Sequence, residues 1–293
     1  MNGVLVIDKP AGMTSHDVVN RVRRLLSERS VGHLGTLDPM ATGVLPLVLG
    51  RLTRLAQFYT GSDKTYEGEI RFGFATDTYD AEGEATTPPQ ADLHLSVDEL
   101  NKLASGFHGT IQQVPPPFSA KKINGVPAYK LARKNKVVDL KPVEVEIQQF
   151  DITSVDGDRA HFVAQVSSGT YIRSVAHDMG GRLGCGAHLA SLRRTKVGEF
   201  DESDARTLEQ VAEAVQSGSP EELLVHSRRL LPELPAVTAT EEAVAMIRNG
   251  RAVNLPELSR ARLVKVFRGQ TELVAIATRI AGTLFQPKVV FVA

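Results

Sequence analysis

A single carboxylate in a glycine-rich loop is the first candidate for chemistry in this sequence. Asp38 lies between Gly35 and Gly43 and is followed directly by Pro39. Proline pushes the preceding residue toward extended backbone, so Asp38 should be presented from a rigid turn rather than from a helix. Glycines let a flat group approach the backbone closely. An acid held in this way suits nucleophilic or acid–base work on a ring-shaped substrate.

Predicted elements flank this loop on both sides. Residues 44–49 form an apolar run that ends at Gly50, which predicts a short buried strand. Residues 3–8 predict the first strand of the chain. Thr14 or Ser15 can cap the helix that follows, because both side chains can accept a hydrogen bond from its first turn. The loop is therefore expected between a helix and a core strand.

Further along the chain, strands and helices of several kinds alternate. Residues 63–73 alternate apolar and polar side chains, which predicts a half-buried strand with Tyr66 on its apolar face. Taken alone, such a tyrosine is more often a core residue than a catalytic one. Residues 96–107 predict a capped helix. Residues 143–153 and 159–168 predict an antiparallel pair.

Length and composition narrow the class of protein. The chain has 293 residues, of which 42% are hydrophobic, so about two soluble domains are expected. No apolar run approaches the roughly 20 residues of a membrane span, and the N-terminus lacks the pattern of a signal peptide. The lone cysteine, Cys185, can form neither an internal disulfide nor a thiolate cluster. We expect a cytoplasmic protein without membrane attachment.

Charge is segregated along the chain although the formal net charge is zero. Residues 115–138 hold six basic side chains and no acidic one, and residues 246–293 hold eight basic and two acidic ones. Seven acidic residues lie between positions 77 and 100, with no lysine or arginine among them. Segregation of this kind favours basic faces that follow a phosphate backbone. For any single cluster, the alternative is a solvated helix face.

Four ordered sequence blocks resemble the bacterial tRNA pseudouridine synthase B (TruB) family. The strongest runs from His33 through Asp38-Pro39 to Gly43, and the others follow the family's order over most of the chain. The four blocks are His33-x-Gly35-Thr36-Leu37-Asp38-Pro39-x-Ala41-Thr42-Gly43, Lys64-x-Tyr66 with Gly73 to Asp80, Ser168 to Asp178, and Gly184 to Gly198. The segment Lys9-Pro10-x-Gly12-x-Thr14-Ser15 also resembles the family's N-terminal motif. Four blocks in order are far more specific than one glycine pattern.

The resemblance implies both a fold and a domain plan. It implies an α+β pseudouridine synthase fold with a central mixed, mainly antiparallel sheet flanked by helices. Residues 1–235 would form the catalytic domain, with a basic insertion at about 115–142 that grips the T arm of tRNA. Residues 236–293 resemble a small PUA-like β-barrel, an RNA-binding module.

The resemblance also assigns roles to individual residues. It makes Asp38 the nucleophile or base, Arg173 its charged partner, and Tyr66 the ring that stacks on uracil and takes the C5 proton. His33 would fill the space that the flipped base vacates. The remaining substrate- and RNA-binding residues are expected to be Lys9, Gly35, Thr36, Lys64, Lys121, Lys122, Tyr129, Arg133, Val175, Leu192, Arg193 and Arg194. The sequence holds no P-loop pattern and no Cys/His metal spacing, and we expect neither cofactor nor metal.

The predicted function is isomerisation of uridine 55 in the T loop of tRNA by a monomer that needs no obligate protein partner. Three routes stay open, because the same residues serve attack of Asp38 on C6, attack on C1′, or proton abstraction from C2′. Two other functions stay open as well. One is a guide-RNA-dependent synthase of the dyskerin type, although the chain lacks the long lysine-rich tail of such proteins. The other is an RNA chaperone that refolds tRNA.

Overall fold

The computed structural model of the protein describes residues 1–119, 121–123, 125–128, 131 and 140–292. The described helices are α1 (Ser15–Leu25), α2 (Ala56–Tyr59), α3 (Val97–Ala104), α4 (Ile172–Leu183), α5 (Leu208–Ser217) and α6 (Glu241–Arg248), with short 3-10 turns at Gly50–Leu55, Ser105–Phe107, Glu202–Asp204, Pro220–Leu223 and Ser227–Arg229. The described strands are β1 (Gly3–Lys9), β2 (Val31–His33), β3 (Thr42–Leu49), β4 (Lys64–Phe72), β5 (Gly109–Gln113), β6 (Lys122–Ile123), β7 (Val126–Pro127), β8 (Val143–Asp156), β9 (Arg159–Val166), β10 (Ala187–Val197), β11 (Phe200–Asp201), β12 (Ala236–Thr238), β13 (Val253–Asn254), β14 (Leu263–Arg268), β15 (Glu272–Ala281) and β16 (Leu284–Val290).

A nine-stranded mixed sheet lies at the centre of the larger part of the chain. Its strand order is β1–β3–β10–β4–β9–β8–β5, with β2 beside β3 and β11 beside β10. Among the described pairs of this sheet, β10 and β3 run parallel and the others antiparallel. The predicted α+β architecture with a mainly antiparallel central sheet is confirmed.

Two helices near the Asp38 loop have well-defined ends, and α1 begins at the predicted side-chain cap. The Thr14 hydroxyl accepts a hydrogen bond from the backbone N–H of Asp17, and the Asp17 carboxylate accepts one from the backbone N–H of Thr14. This reciprocal box starts α1 and directs Val18, Val19 and Val22 into the core. Helix α4 ends at Leu183 and is capped by Gly184, whose φ of 75° is a left-handed conformation that glycine adopts without steric cost.

Strand β3 follows the loop that carries Asp38 and is buried on both faces. Leu45, Leu47 and Leu49 belong to the apolar cluster that also holds α1 and the middle of the sheet. Val44 and Val48 belong to a second apolar cluster on the opposite face. Side chains of a strand alternate between faces, so the continuous apolar run of this segment has a place on each side.

The C-terminal part of the chain is rich in strands, as predicted. Its five strands follow the order β12–β14–β15–β16–β13, and α6 contacts three of them. Phe267 and Ile276 from these strands, together with Phe291, lie in the same apolar cluster as Val48 of β3. Among the residues described, the strand pairing does not close this sheet, so the PUA-like barrel and the boundary at 235 stay predictions. In the described part of the chain, no helix combines the length and apolar character that crossing a membrane requires.

Candidate active site

The backbone on both sides of Asp38 is fixed by hydrogen bonds from neighbouring segments. The Ser15 hydroxyl accepts a bond from the Leu37 N–H at 2.8 Å. The carbonyl of Pro39 accepts bonds from the Gly12 N–H at 2.9 Å and from the Lys9 ammonium at 3.1 Å. These contacts tie the loop to the start of α1 and the end of β1. The Asp-Pro turn is therefore rigid, as the sequence predicts.

Arg173 meets the Asp38 carboxylate through two nitrogen atoms. Its Nε lies 2.8 Å from Oδ2, and its Nη2 donates to Oδ1 at 3.0 Å. The hydrogen bond from Nη2 and the ionic contact of Nε together fix the orientation of the carboxylate. The guanidinium also donates to the carbonyls of Thr78 and Phe118, each at 3.1 Å.

A second carboxylate holds the far side of Arg173. Asp80 is buried, and its Oδ2 accepts a hydrogen bond from Arg173 Nη1 at 3.3 Å. Its Oδ1 accepts bonds from the Thr78 hydroxyl at 2.6 Å and from the Glu82 N–H at 3.1 Å. Arg173 thus lies between two acids, of which Asp80 is enclosed and Asp38 has a side chain that is 34% exposed. Only Asp38 is open to a substrate.

Enclosure and charge act on Asp38 in opposite directions. Burial raises the pKa of the Asp38 carboxyl above its usual range, while the Arg173 guanidinium lowers it and the Asp80 carboxylate raises it further. A cationic partner such as Arg173 favours the ionised acid. In the structure, the loss of water outweighs this effect of Arg173 on the pKa of Asp38. A carboxylate with a raised pKa is a stronger base and nucleophile than an exposed one, provided that it is ionised.

Arg194 supports the loop that carries Asp38 from its buried side. It is fully buried, and its guanidinium donates to the carbonyls of Val44 at 2.8 Å, Thr36 at 3.2 Å and Gly35 at 3.1 Å. Burial lowers the pKa of Arg194, whereas the nearby Tyr66 hydroxyl raises it. Three backbone carbonyls satisfy a cation that would otherwise be costly to bury.

A cavity of about 270 Å³ opens between the loop, β4, β10 and the start of α4. Asp38 and Arg173 line one side and Tyr66, whose side chain is almost enclosed, lines another. The other lining residues are Gly35, Thr36, Leu37, Lys64, Ser119, Ser167, Ser168, Gly169, Thr170, Tyr171, Ile172, Leu192 and Arg194. This volume suits a small flat group rather than an extended ligand.

The predicted site residues divide into two groups by position. Asp38, Tyr66, Arg173, Gly35, Thr36, Lys64, Leu192 and Arg194 all line the cavity. Apart from the residues of the basic insertion, four others lie outside the lining. Val175 is a fully buried residue of α4 that packs into the core, and Arg193 pairs with Asp8 at 3.0 Å and with Glu202 at 2.6 Å.

The other two predicted residues outside the cavity are His33 and Lys9. His33 is half-buried, and its Nδ1 accepts a weak bond from the Gly35 N–H at 3.4 Å. Burial lowers the pKa of His33, so its imidazole is neutral at pH 7. Lys9 is buried against the carbonyls of Pro10 and Pro39, and this burial lowers its pKa to about 8. Burial likewise lowers the pKa of Lys64 to about 8.

The basic insertion is only partly described. Lys121 is exposed at its start, and β6 and β7 form a small hairpin behind it. Tyr129 and Arg133 lie outside the described residues, as does the side chain of Lys122. The predicted roles of these residues stay predictions.

Sequence reasoning missed three residues of the site. Asp80 ends the sequence block 73–80, but nothing in its spacing indicates that it pairs with Arg173. Tyr171 precedes α4, and its backbone N–H and carbonyl bond the side-chain amide of Gln113 at 2.8 and 3.1 Å. Ser119 is buried in the cavity wall. Within the described ranges, no three His, Cys, Asp or Glu side chains gather as a metal site requires.

Comparisons with known proteins agree along the chain. A family model described as the N-terminal domain of TruB family pseudouridylate synthase matches residues 23–172, and one for the tRNA pseudouridylate synthase B C-terminal domain matches 173–233. The tRNA pseudouridine synthase B of Solibacter usitatus is 47% identical over 293 residues, covering 99% of this chain and 100% of the relative. That of Aquifex aeolicus is 39% identical over 290 residues, covering 98% and 99%. In a solved Cbf5–Nop10–Gar1 complex, a chain 26% identical aligns with a TM-score of 0.72, covering 99% of this chain and 85% of that one.

Proposed function

The chain belongs to the TruB family of pseudouridylate synthases, as its motifs predicted, and we propose that it isomerises uridine 55 in the T loop of tRNA to pseudouridine. The observation that carries this proposal is the Asp38 carboxylate, held by Arg173 beside Tyr66 at a cavity of base size. Curated relatives that align over nearly their whole length are named tRNA pseudouridine synthase B. Their names support tRNA as the substrate.

The proposed reaction is balanced without a co-reactant. The N1–C1′ bond breaks, the base turns over, and a C5–C1′ bond forms. The C5 proton leaves, N1 gains a proton, and no atom is oxidised or reduced overall. The protein must therefore supply an ionised carboxylate, a proton acceptor for C5 and a pocket that holds the free base. The residues around the cavity provide groups of these kinds.

Asp38 is the proposed nucleophile or base. Attack on C6, attack on C1′ and proton abstraction from C2′ all require its carboxylate at the open side of the Arg173 pair. Because burial raises the pKa of Asp38, the ionised group is more reactive than an exposed aspartate. Arg173 fixes its direction through the contacts at 2.8 and 3.0 Å. Tyr66 is the proposed stacking partner of uracil and acceptor of the C5 proton.

A uridine in a folded T loop must leave its stack before Asp38 can reach it. Extrusion of a base costs a few kcal/mol. His33 is the proposed group that occupies the vacated space, and its neutral imidazole suits packing against bases. Recognition of the loop would rest mainly on shape and backbone contacts. The basic insertion, with Lys121 exposed at its start, would add salt-dependent affinity.

Two alternatives to this proposal are a synthase that needs partner proteins and a chaperone that has no synthase activity. The solved complex that resembles this fold contains Nop10 and Gar1 beside Cbf5, so one alternative is a synthase that needs partners. Identities of 39 to 47% to tRNA pseudouridine synthase B, against 26% to the aligned chain of that complex, favour the stand-alone enzyme. The other alternative is a chaperone that binds and refolds tRNA without modifying it.

The test measures tritium release from an unmodified tRNA transcript labelled at C5 of uridine, with no added cofactor. Wild type should release label, and Asp38→Asn should release none while it still binds the transcript. Asp156→Asn is the matched control, because Asp156 is an exposed aspartate at the end of β8. A transcript with cytidine at position 55 should release no label with any variant.

Other outcomes would each change the assignment. Tight binding without release by wild type would favour the chaperone or the partner-dependent synthase. Full release by Asp38→Asn would remove Asp38 from the chemistry. Release from the cytidine-55 transcript would refute the proposed position of the modified uridine.

A further inference from the structure

Two aromatic rings stack just outside the active-site cavity. The Tyr79 and His177 rings lie 3.7 Å apart between centroids with an interplanar angle of 11°. Both side chains are half-buried, and neither lines the cavity. At this separation the two rings overlap almost face to face, so each ring covers much of the apolar surface of the other. The pair therefore holds two parts of the chain together.

The first of these parts is a strained turn. Tyr79 has a φ of 65°, a left-handed conformation that is uncommon for a bulky residue other than glycine. Its neighbours on either side, Thr78 and Asp80, supply the carbonyl and the carboxylate that accept from Arg173 Nη1. The left-handed residue lies between these two acceptors. A strained residue persists only where surrounding contacts hold it in place.

The second part is the helix that carries Arg173. His177 follows Arg173 by four residues in α4, so the two side chains lie on the same face, one turn apart. The stack thus joins the turn at 78–80 to the helix whose arginine the turn holds. Two contacts link the same pair of elements: the polar one at Arg173 and the aromatic one at His177.

His177 contributes to this contact through the face of its imidazole ring rather than through a hydrogen bond. Its Nδ1 is buried and has no hydrogen-bond partner among the described residues. Burial lowers the pKa of His177, although the neighbouring Asp178 raises it, so the ring is neutral at pH 7. On the Tyr79 side, the backbone N–H donates to the Thr76 carbonyl and the backbone carbonyl accepts from the Leu189 N–H. These bonds involve no atom of the ring.

We propose that Tyr79 and His177 are positioning residues, whose stack holds the strained turn at 78–80 against α4 and so keeps Arg173 aimed at Asp38. The inference rests on the proposed function, because its readout is the isomerisation rate. Loss of the stack would free the turn to relax toward ordinary backbone conformations. Thr78 and Asp80 would then move from Arg173, and the Asp38 carboxylate would lose its fixed direction. Neither ring needs to touch RNA for this effect.

The test compares variants that keep a ring with variants that remove it. Tyr79→Gly relaxes the backbone and removes the ring, and His177→Ala removes the other ring; each should lower kcat roughly tenfold, within the range known for displaced catalytic groups, with KM for tRNA unchanged. Tyr79→Phe and His177→Phe keep a stack and should restore most of the rate. The kcat of the double variant should fall no further than that of the more impaired single variant, because both rings act through one contact. His94→Ala, at an exposed histidine, is the matched control.

Several outcomes would overturn the inference. A raised KM or weakened tRNA binding at unchanged kcat would mean that the rings contact RNA. Losses of kcat that multiply in the double variant would mean that the rings act separately. Reduced thermal stability with kcat unchanged in the folded protein would leave the stack a purely structural role. An inactive wild type would instead refute the proposed function, which separates the two failures.

Discussion

Replacement of Arg194 by methionine should destabilise the protein and slow catalysis without weakening RNA binding directly. The sequence places Arg194 beside Arg193 in a pair of cations, which suggests a surface for phosphate. In the structure Arg194 is fully buried and donates to the carbonyls of Gly35, Thr36 and Val44. Methionine keeps much of the volume and removes all three donors. The substitution therefore separates an internal support from an RNA contact.

The magnitude follows from what happens to each carbonyl. The Val44 carbonyl lies in a fully buried residue, and leaving such an acceptor unpaired costs about 1–3 kcal/mol. Gly35 is half-buried and Thr36 is exposed, so water can replace the guanidinium there, and each lost bond should cost no more than about 1 kcal/mol. Removal of a buried cation offsets part of the loss. We expect a net decrease in the free energy of unfolding of about 2–4 kcal/mol.

Urea denaturation measures this decrease as a lower midpoint at an unchanged m-value. Arg193→Met is the matched control, because Arg193 is adjacent in sequence but half-exposed and paired with Asp8 and Glu202. Surface pairs of this kind contribute about 1 kcal/mol or less. The rate of single-turnover tritium release should fall for Arg194→Met, since the loop that presents Asp38 loses its hydrogen bonds to the guanidinium.

Binding as a function of salt provides the refutation. If Arg194 contacts phosphate, Arg194→Met should leave the urea midpoint near that of wild type. The Kd for tRNA should then rise, and the slope of log Kd against log salt should fall by about one. That combination would refute the internal role that we derive from the three carbonyl contacts.

Two further predictions concern buried charges around the site. Asp80→Asn should lower kcat about ten- to a hundredfold with little change in KM, because Arg173 loses its second acid. Since the Asp80 carboxylate raises the pKa of Asp38, the acid limb of the rate profile should also move to lower pH; an unmoved limb would contradict that coupling. Burial lowers the pKa of Lys9 from 10.5 to about 8. The unfolded chain therefore binds the extra proton between these values, and wild type should gain stability relative to Lys9→Met as pH rises from 8 to 10. Urea unfolding at each pH checks this, and a constant difference between the two proteins would argue against a lowered pKa.

Local patterns carried the prediction of the fold a long way. The apolar run at 44–49 predicted a buried strand, and β3 spans Thr42–Leu49. A cap at Thr14 or Ser15 predicted the start of α1, and the structure has Thr14 as the cap. The alternation at 143–153 and 159–168 predicted the β8–β9 pair. Each of these depends on residues close in sequence, for which hydrophobic period and capping chemistry are informative.

The features that could not be predicted depend on contacts between segments that are distant in sequence. Arg193 and Arg194 look alike in sequence, but successive side chains of β10 point to opposite faces of the sheet. Pairing of Arg194 with Tyr66 of β4 directs it inward, whereas Arg193 faces the carboxylates of Asp8 and Glu202. Asp80 reaches Arg173 only because α4 packs beside the turn at 78–80. Neither relation has a local signature that spacing could reveal.

The burial of β3 on both faces has a consequence for how the protein unfolds. One face of this strand packs into the core around α1, and the other packs into a cluster that Phe267 and Ile276 of the C-terminal sheet complete. Removing either set of partners would expose one full side of the strand that follows the Asp38 loop. The two sheets share this cluster, so we expect loosening of the C-terminal sheet by heat or proteolysis to disturb the loop that carries Asp38 as well.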